Sequence, residues 1–305
     1  MIVLEKGSWL PEVYQRLLSF IEDAGLQKSV YGACPVAVFD FDNTCIKGDI
    51  GYSFFYRMVE EGTFHYWFEP FRKFFLSFDP TTRSKQVIEL LSAGARGDSD
   101  RGRLRILMRD IMRSIRTEMG EGKVFEWMAG LLLGWSYQDI KDKTRRVFIE
   151  ELNSPLKEKV IAEWRGEKWI VSSGIRIYEE IKNLIETLQK VGFAVWIISA
   201  TAQVIVEVAA EFLGVTPHYC IGIRHRIENG CLVATEGGVT YREGKVKAVD
   251  LIIGRRPVFV AGDWFTDLEL LDYSEGISLL IDCGNRDLVD YAKKRGWLIQ
   301  PAFKI

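Results

Sequence analysis

Two aspartates, Asp40 and Asp42, stand two residues apart directly after a short apolar run, Val36-Ala37-Val38-Phe39. In a continuing strand their side chains would share a face. Where the chain turns, one can meet a metal and a phosphorus atom while the other faces a leaving group. Paired carboxylates in different environments can divide nucleophile and acid roles between them. Alone, D-x-D is a weak mark, since many turns and helix caps contain it, and Thr44 stands beside it. Further along come Ser199-Ala200-Thr201, then Lys245 in Gly244-Lys245-Val246-Lys247, then Asp263 and Asp267 in Gly262-Asp263-Trp264-Phe265-Thr266-Asp267. Phosphoryl transfer asks for a nucleophile present at neutral pH, a cation to neutralise phosphate charge, and a proton for the leaving oxygen. The Ser199 hydroxyl and the Ala200 and Thr201 N–H groups, expected to open a helix, suit phosphate oxygens. Lys245 offers a point charge for phosphate and for the Asp40 carboxylate. Asp263 and Asp267 are hard oxygen donors suited to magnesium. Each of these has an innocent explanation on its own. Four in this order, each at a strand end or helix start, do not easily share one.

The elements that must position them repeat one pattern. Apolar residues at helical spacing (Leu10, Val13, Leu17, Leu18, Ile21) predict a helix over residues 9–25, ahead of the first buried strand. A helix over 177–191 leads to a strand over 193–198 that ends at Ser199, and 204–213 is helical again. Pro257 to Ala261 ends at Gly262-Asp263, and Ile277 to Ile281 ends at Asp282. Strands alternating with helices predict an α/β fold with a doubly wound parallel sheet. Carboxylates at the C-terminal ends of its strands are where such sheets carry sites. Arg226 to Val233, with Asn229-Gly230 inside, reads as a hairpin. Residues 46–168 break the rhythm with helical periodicity over 50–59, 64–78, 103–119, 123–133, 137–152 and 156–164. They are expected to form a mobile helical cap domain inserted after the first core strand, the core being 1–45 and 169–305.

The net charge of −2, from 40 basic and 42 acidic residues, lacks the basic excess that nucleic acid as a main partner needs. Five widely spaced cysteines without a C-x-x-C pair, and only three histidines, argue against zinc and for buried free thiols in a reducing compartment. No apolar stretch approaches the ~20 residues of a membrane helix. Met1 to Leu10 carries Glu5 and Lys6 and no apolar h-region, so no signal peptide is expected. These features predict a soluble, cytoplasmic protein, and the phosphate-suited residues above point to a small phosphorylated metabolite as its partner.

On Asp40-Phe41-Asp42-Asn43-Thr44, Ile198-Ser199-Ala200-Thr201, Gly244-Lys245 and Gly262-Asp263 with Asp267, the chain resembles the haloacid dehalogenase-like phosphatases over nearly all its core. It looks closest to the branch holding phosphoserine and phosphocholine phosphatases, which has a helical cap after the first strand and a hairpin before the lysine motif. The resemblance implies that Asp40 forms an aspartyl-phosphate and that Asp42 protonates the leaving alcohol, then activates water. It implies magnesium held by the Asp40 carboxylate, the Asp42 backbone carbonyl and Asp263, with Asp267 behind them. Thr44, Ser199 and Lys245 would position phosphate. Dehalogenases of the superfamily lack an acid at the place of Asp42, so its presence favours phosphate esters. Three departures bear on substrate: Thr266 replaces an asparagine that contacts phosphate, Ala200-Thr201 replaces a glycine pair, and the cap is longer.

Asp49 lies nine residues after Asp40, where relatives place a glutamate that holds the substrate's amino group. This suggests an amine-bearing substrate; a solvent-exposed helix cap is the other reading. The aromatics Tyr52, Phe54, Phe55, Tyr56, Phe64, Tyr66, Trp67 and Phe68 could cage a quaternary ammonium, but at helical spacing they are expected to be core. The run Arg101, Arg103, Arg105, Arg109, Arg113 and Arg116 reads as a solvated helix face, with one of them or Arg83 available for a substrate carboxylate. His65, His218 and His225 show no ligand spacing, and Trp264 either walls the site or packs. The reaction expected is hydrolysis of a phosphomonoester. The alternatives are phosphotransfer through the same aspartyl-phosphate and a catalytically silent phosphate-binding protein.

Overall fold

The computed structural model describes residues 4–31, 34–95 and 97–305. Met1 to Val3, the start of the stretch read for a signal peptide, lie outside them.

Helix α1 (Pro11–Tyr31) precedes β1 (Val36–Phe39), and a short β2 (Ile46–Lys47) follows the first turn. The inserted segment then holds α2 (Ile50–Glu61), α3 (Glu69–Phe78), α4 (Thr82–Ser92), α5 (Gly97–Met119), α6 (Glu121–Gly130) and α7 (Tyr137–Asn153). It closes with β3 (Lys157–Trp164) and β4 (Glu167–Ser173), and the chain returns through β5 (Arg176–Ile177). The core resumes with α8 (Glu179–Lys190), β6 (Ala194–Ala202), α9 (Gln203–Glu211), β7 (Cys220–Glu228), β8 (Cys231–Glu236) and α10 (Glu243–Ala248). It ends with β9 (Phe259–Gly262), α11 (Leu268–Asp272), β10 (Ile277–Asp282), α12 (Arg286–Arg295) and β11 (Leu298–Pro301).

The seven-stranded sheet runs β11-β10-β9-β1-β6-β7-β8, parallel except for the β7–β8 hairpin. β1 is central, flanked by β6 and β9. Its residues alternate between two apolar layers: Ala37 and Phe39 join Ile197 and Phe259 on one face, while Val36 and Val38 join Trp196 and Leu270 on the other. That double burial is why the strand reads as an unbroken apolar run. The expected doubly wound α/β core is the fold observed.

The insertion leaves and returns through a narrow neck. β2 pairs antiparallel with β5, Ile46 opposite Ile177 and Lys47 opposite Arg176, and the Tyr178 N–H donates to the Cys45 carbonyl at 3.1 Å. Just beyond, a Cβ on Gly48, whose φ is +103°, would lie 2.9 Å from the Gly174 carbonyl oxygen. Glycine alone suits that crossing. The insertion also rests on the core: α7 packs on α9, with Phe148 and Phe212 rings 4.6 Å apart. Leu232 of β8 exchanges backbone hydrogen bonds with Gly134 and Trp135, at 2.8 and 3.0 Å.

Three expectations need correction. Residues 156–164 are not helical: β3 pairs with β4 through the two-residue turn Arg165-Gly166, both with positive φ (51° and 82°), the turn whose twist suits a hairpin. The boundary expected at 168 therefore falls inside β4. The arginine run is not simply solvated. Arg109 is 5% exposed, pairs with Asp110 and Glu167 and donates to the Lys168 carbonyl, while Arg105 donates to the Ile161 and Glu60 carbonyls. These residues tie α5 to the β3–β4 hairpin. Of the cysteines, all free, Cys45 and Cys220 are buried but Cys34 and Cys283 are exposed.

Candidate active site

The site begins where β1 ends. The Asp40 N–H still donates to the Ala261 carbonyl of β9 at 2.9 Å, so its backbone continues the strand geometry. The chain then turns: Cys45 N–H donates to the Phe41 carbonyl (2.8 Å), the Cys45 thiol to the Asp40 carbonyl (3.1 Å), and Gly48 N–H to the Asn43 side chain (3.2 Å). Asn43 takes the left-handed conformation (φ 59°) that asparagine tolerates.

Lys245, from the first turn of α10, is 1% exposed. Its ammonium lies 2.5 Å from Asp40 Oδ1 and 2.5 Å from Asp267 Oδ1. Asp267 Oδ2 accepts the N–H groups of Asp263 (3.2 Å) and Trp264 (3.4 Å), which shapes the turn after β9. A Cβ on Gly262 would stand 2.6 Å from the Asp267 Cβ, so that turn needs glycine. The Thr44 hydroxyl donates to Asp263 Oδ1 at 3.4 Å. Asp40, Asp263 and Asp267 each offer a carboxylate oxygen within 4.8 Å of the others.

Crowding buried carboxyls drives their proton affinities up. Burial, then the Asp267 charge, raises Asp40 to about 7 against the pull of Lys245. Burial, then Asp40 and Asp267, pushes Asp263 well above the usual range. Lys245 itself is buried, which opposes its charge, yet Asp267 and Asp40 more than compensate and hold it protonated.

Asp42 faces differently. Its Oδ1 accepts the Ile50 N–H of α2 at 2.8 Å and its Oδ2 the Ser199 hydroxyl at 3.2 Å. Burial, then the Asp49 charge, pushes its carboxyl well above the usual range, as a proton donor needs. Ser199 is held in turn, its oxygen accepting the Thr201 N–H (3.2 Å) and its carbonyl accepting the Thr240 hydroxyl (2.5 Å). Asp49 caps α2, its Oδ1 accepting the Tyr52 N–H at 2.7 Å, and burial raises it to about 6.

Asp40, Asp42, Asp49, Ser199, Ala200, Thr201, Lys245, Asp263 and Thr266 line one cavity of about 370 Å3. Thr44 and Asp267 lie beneath it, fully buried, and act on it through Asp263 and Lys245. Ala200 and Thr201 do not open a helix. They lie in β6, whose register with β7 shifts between Ile198 and Ala202, and α9 starts only at Gln203. Trp264, 42% exposed, is a wall residue rather than core. Three lining residues escaped the sequence reading: Asn43, Cys283 and Phe125. Asn43 stood inside the first motif; Phe125 carries no local signal, because α6 reaches the cavity only through tertiary packing. None of the arginines of the run, nor Arg83, lines the cavity. Of the aromatics, Phe54, Phe55 and Phe64 are core, Tyr52, Tyr56, Tyr66 and Phe68 pack half-buried against it, and Trp67 is exposed, stacked on His65.

The donor set fits a hard divalent cation. Asp40 and Asp263 are buried, side by side, and each keeps one carboxylate oxygen with no hydrogen-bond partner among the described residues. Oxygen-only donors are what magnesium takes.

A solved structure of a conserved, functionally unknown protein from Anaerococcus prevotii DSM 20548 is similar to this chain, with a TM-score of 0.77 and 19% identity over 96% of this chain and 91% of that one. A protein of unknown function from Bordetella pertussis Tohama I follows, with a TM-score of 0.56 and 17% identity over 88% and 98%. A phospho-aspartyl intermediate analogue of phosphoserine phosphatase overlaps more loosely, with a TM-score of 0.44 and 14% identity over 89% and 94%. At that distance it says nothing of the reaction. No curated protein matched the sequence significantly. The family model of haloacid dehalogenase-like hydrolases matches residues 37–272, more than half the chain and all the motifs above. The chain belongs to the haloacid dehalogenase-like hydrolases.

Proposed function

We propose that this hydrolase is a magnesium-dependent phosphomonoesterase that works through an aspartyl-phosphate on Asp40. The observation that carries the reading is the division of labour between two carboxyls two residues apart. Asp40 is paired with Lys245, while Asp42 is turned away onto Ser199 and the α2 backbone.

An Asp40 oxygen attacks phosphorus and the bond from phosphorus to the ester oxygen breaks. Asp42 gives its proton to the leaving oxygen. Asp42, now ionised, then takes a proton from water as that water attacks the aspartyl-phosphate, returning the Asp40 carboxylate and inorganic phosphate. Lys245, Ser199 and the backbone around Ala200 and Thr201 hold the phosphate oxygens. Magnesium, bound by the Asp40 and Asp263 carboxylates and the Asp42 carbonyl, would neutralise phosphate charge. Asp267 is a positioning residue: both its oxygens are engaged, by Lys245 and by the turn that carries Asp263. The insertion is read as the cap that closes the cavity, Phe125 being its wall residue, with its end at the neck rather than at 168. The substrate is a small, amine-bearing phosphorylated metabolite, Asp49 being the acid available to its ammonium.

The purified protein is expected to hydrolyse p-nitrophenyl phosphate with MgCl2, and acid-quenched turnover to leave a phosphoryl group on Asp40. Asp40→Asn is expected to bring turnover to background. A variant that keeps more than about a tenth of the rate would rule out Asp40 as the nucleophile. Added alcohol acceptors test for transfer instead of hydrolysis.

A further inference from the structure

Beyond the phosphate site, the cavity is unusually one-sided in charge. Among the described residues its wall carries four carboxyls, Asp40, Asp42, Asp49 and Asp263, against a single cation, Lys245. That cation is already claimed by Asp40 and Asp267. Arg242, whose backbone N–H donates to the Thr266 carbonyl, pairs with Glu269, and Arg116, in the last turn of α5, is likewise engaged. Arg116 pairs with Glu121 at 2.5 Å and donates to the Tyr52 hydroxyl at 2.7 Å, and it is absent from the wall. The parts of the wall outside the phosphate site are Asn43, Asp49, Thr266, Cys283 and the rings of Phe125 and Trp264. A leaving group in that space meets a carboxyl, two aromatic rings, an amide and a hydroxyl, and no positive side chain among the described residues. Its own negative charge would stand unpaired in a low-dielectric pocket beside carboxylates, which binding sites penalise.

We propose that the site takes the phosphate ester of an amino alcohol that carries no second anionic group. Asp49 faces the ammonium, and Phe125 and Trp264 are the specificity-determining walls. This rests on the phosphatase reading above and narrows it: a phosphorylated amino acid, whose carboxylate would need a partner, is a poor substrate. Aromatic walls suit primary and alkylated ammonium alike, so both fall within the class. Asp49 can hold a cation without releasing α2, because one of its oxygens serves the cap and the carboxyl still borders the cavity.

The test compares kcat/KM at pH 7.5, with saturating MgCl2, for O-phosphoethanolamine, phosphocholine, glycerol phosphate and O-phosphoserine. Phosphoethanolamine or phosphocholine is expected to exceed phosphoserine by at least about ten-fold, with glycerol phosphate between them. Phosphoserine equal to or above both ammonium esters overturns the proposal. Asp49→Asn keeps a good cap residue and should reduce the preference for ammonium esters over glycerol phosphate several-fold. An unchanged ratio removes Asp49 from the role. Phe125→Arg puts a cation into the wall and should raise phosphoserine relative to phosphoethanolamine; no change in that ratio overturns the assignment of the wall. If p-nitrophenyl phosphate is not hydrolysed either, the phosphatase reading itself has failed. If it is hydrolysed and phosphoserine is preferred, only the present inference has.

Discussion

Replacing Lys245 with methionine keeps the reach of the side chain and removes its charge. The ammonium is buried and lies 2.5 Å from both Asp40 and Asp267. Without it, Asp40, Asp263 and Asp267 face one another with oxygens within 4.8 Å and no countercharge. Two unit charges at that separation repel by about 3 kcal/mol at an effective dielectric constant near 20. Removing one partner of a buried pair costs about 3–5 kcal/mol, the same range. For a chain of this size each kcal/mol moves Tm by roughly 2–4 °C, so a fall of roughly 10 °C is expected. The sign with pH follows from the carboxyls. Asp40 already sits at about 7, above its ordinary value, and losing Lys245 raises it further. At pH 5 Asp40 and Asp263, both raised, take up protons and their repulsion falls, whereas at pH 8 they are driven to ionise. The loss of stability should therefore be larger at pH 8 than at pH 5. Scanning calorimetry of the metal-free proteins at both pH values measures it. A Lys245→Met protein within about 1 kcal/mol of the parent at pH 8, or equally impaired at both pH values, would refute the view that this lysine neutralises the cluster.

Other perturbations follow from the same geometry. The raised Asp40 carboxyl contributes stability that is fully present below its unfolded value of 3.8 and is lost as pH rises through about 7. Metal-free protein should accordingly melt lower at pH 8 than at pH 5.5, and MgCl2 should raise Tm more at pH 8; equal shifts would contradict a carboxylate metal site. A Cβ on Gly51 would meet Thr201 Oγ1 at 2.4 Å, where α2 rests on the end of β6. Gly51→Ala should destabilise by about 1–3 kcal/mol in chemical denaturation, and Thr201→Ala in the same chain should recover much of it. Gly48→Ala combines a positive φ with a backbone contact and should lose about 1–3 kcal/mol, with no single side-chain truncation able to restore it. Tyr52→Phe removes the hydroxyl that joins Arg116 to Glu121 and should cost about 1 kcal/mol in the same assay.

The core was readable because buried parallel strands write themselves as short apolar runs, and because Asp40, Ser199 and Asp263 mark where β1, β6 and β9 deliver the site. What stayed hidden has physical causes. Leu156, Val160, Ile161 and Trp164 fall at helical spacing, and only the left-handed pair Arg165-Gly166 betrays a hairpin there. Ala200 and Thr201 extend β6 rather than open α9, at a register irregularity that depends on the neighbouring strand and leaves no mark in composition. Arg109 reads as a surface charge because its partners, Glu167 and the Lys168 carbonyl, lie more than fifty residues away. Phe125 lacks even that much of a signal, since helices of the insertion carry many aromatics and only assembly decides which one meets the site.

The neck formed by β2 and β5 bears on how this protein could diversify. Because the chain departs and comes back through adjoining two-residue strands, the sheet experiences the insertion as a single short loop. Helices after α2 could be gained, lost or exchanged while the spacing of β1 and β6, and the α2 N–H that holds Asp42, stayed fixed. A graft would have to preserve the surface that α7 offers to α9, the strand-like contact with Leu232, and the α2 start that rests on Thr201 and donates the Ile50 N–H to Asp42. The strands that carry the reacting carboxyls and the later helices of the insertion are thus separately replaceable stretches of one polypeptide.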